Sequence, residues 1–218
     1  MLCTDFASEA SASITPIYGW DNSTVGYTPE PEGIQGVGFW PRVGARLIDT
    51  IAHFFVGLFT GTLFRVMLLV ASGGHVPPAV VAKLSHGRIT SFLFALLGVF
   101  AYHVIFDTVH GSTLGKLALS MVVVQEDGSP CRLKSALIRE LGYYVDALFF
   151  GMIGYIAMER TPERQRYGDE WAHTIVCKRS VLTPDKLRGG GRFALALFFA
   201  LMANTAFILT GMLVRTVG

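Results

Sequence analysis

The chain has 218 residues, 51% of them hydrophobic and only 16% charged, where soluble domains carry nearer a quarter charged residues. The formal net charge is +2 and no basic stripe with interleaved aromatics appears, so nucleic acid is not an expected partner. Cys3, Cys131 and Cys177 are odd in number and lack a CxxC spacing, which predicts no disulfide framework and a reducing compartment.

Residues 1–37 form a polar, weakly acidic tail rich in Ser, Thr, Pro and Gly, with Tyr18, Trp20 and Tyr27 set into it. Such a segment is not expected to fold alone. Lacking Lys, Arg and any apolar run, it does not read as a signal peptide. A membrane domain is expected over residues 38–179, followed by a linker and a last membrane helix over 180–218.

Leu47–Ala71 is the first long apolar run, interrupted by Asp49, His53 and Arg65. At 1.5 Å per residue it spans a hydrocarbon core of roughly 30 Å. Phe39 and Trp40 sit just before it, where an interfacial aromatic belt places them. Ser91–Val109 reads as the second span and Arg192–Val214 as the last. His75 and His86, in the loop between the first two, read as solvated. Between the second and last spans, Met121-Val122-Val123-Val124 reads as a strand, Asp127-Gly128 as a hairpin turn, and Thr174–Cys177 as a further strand. Ala136–Met158 is apolar but carries Arg139, Glu140 and Asp146, with Gly151 and Gly154 interrupting it. If it dips into the membrane and returns, fourteen of the eighteen basic residues share the cytoplasmic side with the N-terminus. The expected fold is therefore an all-α integral membrane protein of about three transmembrane helices, plus a re-entrant or fourth membrane helix and a small cytoplasmic β-hairpin.

Intramembrane ionisable groups carry the functional signal. Asp49 and His53 are four apart in the first span, so they share a helical face. His103 and Asp107 are four apart in the second, in reversed order. Antiparallel helices place Asp opposite Asp and His opposite His, each Asp about one turn and each His about two turns from the cytoplasmic ends. Such a quartet suits a divalent metal, a proton relay, or a structural network in which Asp49 pairs with Arg42 or Arg46 and each His bonds a carbonyl. Asp146 is a further intramembrane carboxylate.

Gly111-Ser-Thr-Leu-Gly-Lys116 lacks the spacing of a phosphate loop and reads as a sharp turn out of the membrane. Asp169-Glu170 with His173 has no adjacent nucleophile, and Cys177 reads as an inert core residue. With no convincing enzyme signature, catalysis is not expected, and the sequence names no cofactor.

Phe39-Trp40-Pro41-Arg42, Ala45 and Ile48-Asp49 resemble the opening of the RDD membrane family, named for one arginine and two aspartates. Gly111, Thr113, Gly115 and Lys116 match its Gly-x-Thr-x-Gly-Lys turn. Val122–Val124, Asp127-Gly128, Arg139 and Asp146 also fit, and Gln165–Asp169 with Thr174–Val176 resembles the closing segment. On that resemblance Arg42, Asp49 and Asp169 are the signature residues. The likeness covers residues 38–179. It departs at Pro41, Trp171 and His173, and His53 and His103 are not signature positions. The resemblance implies transport of ions or small ligands, including cation–proton exchange, or membership of a larger membrane complex. An accessory or assembly subunit is the expected role, because the polar intramembrane residues gather near one interface rather than at the midplane, where a transport site more naturally lies. A small transporter is the alternative. The expected partners are the lipid bilayer and other membrane subunits or a second copy, with small residues Ala194, Ala196, Ala200 and Ala203 suited to close helix approach.

Overall fold

A computed structural model describes residues 34–76, 78 and 88–217. The N-terminal tail up to residue 33, and the loop stretch holding His86, lie outside the described residues; His75 is exposed. Among the described residues, three helices are long and apolar enough to cross a membrane. They are α1 (Phe39–Ala71), α2 (Arg88–Val109) and α7 (Gly190–Val217). Between α2 and α7 lie α3 (Leu114–Ala118), β1 (Met121–Gln125), α4 (Leu133–Asp146), α5 (Leu148–Met158), α6 (Tyr167–Trp171) and β2 (Thr174–Lys178).

α1 begins at Phe39, eight residues before the apolar run, so Phe39 and Trp40 lie within the helix rather than ahead of it. Pro41 permits this. It stands in the first turn, where backbone N–H groups have no intrahelical acceptor and a missing donor costs nothing. The early start matters for function, because it makes Arg42 and Arg46 helical residues one turn apart.

α2 packs along α7. Tyr102 and Phe106 meet Ala196 and Ala200 in a buried cluster flanked by Phe193. Ala196 and Ala200 are thus occupied within the chain, while Ala194 is exposed and Ala203 half-buried. α1 stands freer: 6% of its most apolar window is buried, against 33% for α2.

The sheet has two antiparallel strands, with Val123 opposite Val176. Met121 and Val123 pack with Val176, Val37, Ala45 and Val104 on one face. Val122 and Val124 pack with Ile175, Cys177 and Leu182 on the other. Burial on both faces explains why β1 reads as an unbroken apolar run instead of alternating. The expected turn at Asp127-Gly128 forms, with Gly128 at φ 74 and its amide on the Gln125 carbonyl at 2.9 Å. The arm after it, however, makes only a single bridge, Val124 to Pro130. Proline has no amide to continue a ladder, so the partner strand comes from residues 174–178.

α4 and α5 are bent by 115°. The reversal is made by Phe149, Phe150 and Gly151, all at positive φ. Because β1 precedes this pair and β2 follows it, the segment leaves the sheet and comes back to it.

Candidate functional site

Asp49 is buried one-third of the way along α1 and accepts three hydrogen bonds. Tyr102 Oη and the Gly115 amide donate to Oδ1, each at 2.8 Å, and Thr113 Oγ1 donates to Oδ2 at 2.7 Å. The turn motif explains itself here. Gly111, at φ 87, reverses the chain after α2. Thr113 caps α3, its hydroxyl oxygen accepting from the Lys116 amide while its proton goes to Asp49. At Gly115, a Cβ would stand 2.0 Å from the Ala45 carbonyl oxygen. Only glycine lets α3 lie against the backbone of α1 and bring its amide to the carboxylate. The short helix N-terminus also favours the negative charge.

Lys116 carries the chain into a second cluster. Its ammonium lies 2.6 and 2.8 Å from the two oxygens of Asp107. Burial lowers the Lys116 ammonium, and Asp107 opposes that shift. Arg139 joins the clusters, with one guanidinium nitrogen 3.5 Å from Asp107 and another 3.3 Å from Asp169. Asp169 is fully buried and also receives Arg42, across 127 residues of sequence, and Arg166 at 3.4 Å. Burial alone would raise the Asp169 carboxyl, but Arg166, Arg139 and Arg42 together hold it far below the usual carboxylate range. Arg42 further donates to the carbonyls of Val37 and Arg164.

Asp146 ends α4 and accepts from the Tyr167 and Gly168 amides, both at 3.2 Å, so it caps α6 from a distance. The approach depends on two glycines, since a Cβ on Gly142 would stand 2.4 Å from Gly168 Cα. Arg46 donates to Glu140 at 2.6 and 3.3 Å and stacks 3.8 Å over the Tyr143 ring. The cluster therefore balances five acids, Asp49, Asp107, Glu140, Asp146 and Asp169, against Arg42, Arg46, Lys116, Arg139 and Arg166.

The His–Asp quartet comes together only in part. His53 and His103 stack with ring centroids 6.2 Å apart, as the reversed spacing predicts. Their carboxylates part company, Asp49 to neutral donors and Asp107 to Lys116 and Arg139. The expected pairing of Asp49 with Arg42 or Arg46 is replaced by Tyr102, Thr113 and Gly115, because both arginines point to acids on α4 and α6. His53 Nδ1 bonds the Asp49 carbonyl at 2.9 Å, whereas His103 Nδ1, buried, has no partner among the described residues. Among those residues no group of three or more His, Cys, Asp or Glu side chains is placed to share a metal ion. His173 is exposed and reaches only Glu126, at 3.4 Å. Cys177 is buried in β2, and burial pushes its thiol up to about 11.

Sequence reasoning missed Tyr102 and Glu140. Tyr102 carried a usable signal, since a tyrosine inside an apolar span needs an acceptor for its hydroxyl. Glu140 carried a weaker one, as its partner Arg46 lies 94 residues away.

The RDD family model matches residues 37–173. The chain belongs to the RDD family, and its Arg42, Asp49 and Asp169 occupy the centres of the networks above. No curated protein and no solved structure gives a significant match.

Proposed function

We propose that this RDD-family membrane protein is a non-catalytic accessory or assembly subunit of a larger membrane complex, with its N-terminus and the charged cluster on the cytoplasmic side. The observation that carries this reading is the use to which the ionisable groups are put. All five buried carboxylates of the cluster accept from donors of the same chain, and these bonds join α1, α2, α3, α4 and α6. Groups committed to holding a scaffold are poor carriers for a moving ion. Between Arg88 and His103 in α2, and between Arg192 and Arg215 in α7, there is no Asp, Glu, Lys or Arg. The outer half of α1 turns Phe55, Leu58, Phe59 and Val66 outward, a face suited to lipid or a neighbouring helix.

The alternative, a small cation/proton exchanger, draws on the stacked His53 and His103 beside Asp49. One experiment separates the two. A tagged full-length chain, at native expression level and in mild detergent, is expected to co-purify with a membrane protein at fixed stoichiometry. A photo-crosslinker at position 59 is expected to reach that same protein, and proteoliposomes of the purified chain are expected to show no cation-driven proton flux. A lone chain whose proteoliposomes carry such a flux, lost in Asp49→Asn, would establish the exchanger instead.

A further inference from the structure

A cavity of about 410 Å³ lies between the first turns of α1, α3 and the α4–α5 hairpin. Its floor is cationic: Arg42, Arg46, Lys116, Arg139 and Arg166 line it, against Asp49, Glu140 and Asp146. The two carboxylates that balance this surplus, Asp107 and Asp169, stand behind the wall and do not line the cavity. Among the described residues, two buried donor-capable atoms on lining residues make no hydrogen bond: His103 Nδ1, which has no partner, and Arg139 Nη1, whose carboxylate contact is the 3.5 Å ion pair with Asp107. Buried polar groups are nearly always satisfied, so a partnerless His103 Nδ1 beside an incompletely satisfied Arg139 Nη1 calls for an acceptor. The rim is of another kind. Val43, Leu47 and Phe150 line the cavity and are exposed apolar side chains, the first two on the membrane-candidate helix α1 and the third at the α4–α5 bend.

We propose that this cavity binds the phosphate group of an anionic ligand, with an anionic phospholipid of the surrounding bilayer as the source. His103 Nδ1 and Arg139 Nη1 are the donors left for a phosphate oxygen, and Arg42, Arg46, Lys116 and Arg166, each already bonded to a carboxylate of the chain, add positive potential around it. An apolar rim over a cationic floor fits a molecule whose acyl chains stay in the hydrocarbon while its headgroup enters. A zwitterionic headgroup brings its own cation to the same floor and is disfavoured. The proposal does not rest on the subunit or exchanger reading; a bound lipid is compatible with both.

The test is native mass spectrometry of the full chain in mild detergent, titrated with phosphatidylglycerol or with phosphatidylcholine. A parallel thermal-shift arm uses sodium phosphate. One phosphatidylglycerol per chain is expected to survive collisional release of detergent, at roughly tenfold higher apparent affinity than phosphatidylcholine. Arg139→Gln is expected to lose roughly tenfold in that affinity. Because Arg139 also braces Asp107 and Asp169, His103→Leu serves as the second variant; it disturbs no ion pair and is expected to keep the fold and lose affinity several-fold. Stabilisation by sodium phosphate, reduced in His103→Leu, without lipid retention would uphold the phosphate site and move its source to solution. Equal retention of the two lipids with no phosphate effect, or unchanged phosphatidylglycerol affinity in folded His103→Leu, overturns the proposal.

Discussion

The two ends of α1 are built on different physics. Its first three turns are fixed by directional polar bonds to distant segments: Arg42 to Asp169, Arg46 to Glu140, Asp49 to Tyr102, Thr113 and Gly115. Its last turns offer mostly exposed apolar side chains and bury little against the rest of the chain. The α2–α7 pair is a third case, joined by small-to-large packing of Ala196 and Ala200 on Tyr102 and Phe106. In lipid, apolar surface gains little by moving from acyl chain to protein, so association relies on close packing and polar bonds. The family's signature residues sit where polar bonds do that work. The contrast teaches that the signature marks a clasp, and that the C-terminal end of α1 presents an apolar face to its surroundings.

The largest effect should come from cutting the clasp at its centre. Asp169→Asn leaves Arg42, Arg139 and Arg166 without their shared carboxylate. Removing one side of a buried ion pair costs about 3–5 kcal/mol. The expected outcome is loss of monodisperse protein in detergent, read by size-exclusion chromatography and thermal unfolding. Gly115→Ala should follow, at roughly 3 kcal/mol, since its Cβ would meet the Ala45 carbonyl at 2.0 Å. Thermal unfolding with near wild-type Tm would show that α3 can back away from α1.

Acid should loosen the same end more gently. The Asp169 carboxyl is held far below its ordinary value of 3.8 in the fold. Its contribution is therefore fully present above about pH 5 and is lost as pH falls through the acid range toward the folded value. Apparent Tm is expected to decline on going from pH 6 to pH 3; a flat profile would mean Asp169 contributes nothing. The smallest effect belongs to the free end. Phe59→Ala removes a side chain that is 71% exposed and should shift stability by no more than about 0.5 kcal/mol. Under the subunit reading it should nevertheless weaken retention of the co-purifying protein.

Sequence periodicity reached the three spans because long apolar runs are unambiguous in a bilayer. It reached the His53–His103 stack because i,i+4 spacing on antiparallel helices leaves few alternatives. The start of α1 escaped it, since Phe39, Trp40 and Pro41 resemble a membrane-edge belt as much as a helix turn. The carboxylate partners escaped it for a different reason. Arg42 and Arg46 are the nearest cations to Asp49 in sequence, but their actual acids lie 127 and 94 residues away. The Arg42–Asp169 pair further lies across the α4–α5 reversal at Phe149–Gly151, and two left-handed phenylalanines leave no recognisable signal. The cavity is a product of that reversal, so its lining was legible only as scattered basic residues.

The clasp itself is most directly tested by a double-mutant cycle on Arg42 and Asp169, using Arg42→Gln, Asp169→Asn and the pair, read by thermal unfolding in one detergent. Should Asp169→Asn prove too unstable to measure, Asp169→Glu takes its place in the same cycle. Coupling of at least about 1 kcal/mol is expected, with the double variant less damaged than the sum of the single ones. Additivity within about 0.5 kcal/mol, the behaviour of independent sites, would contradict the view that the signature arginine and aspartate hold this fold together through each other.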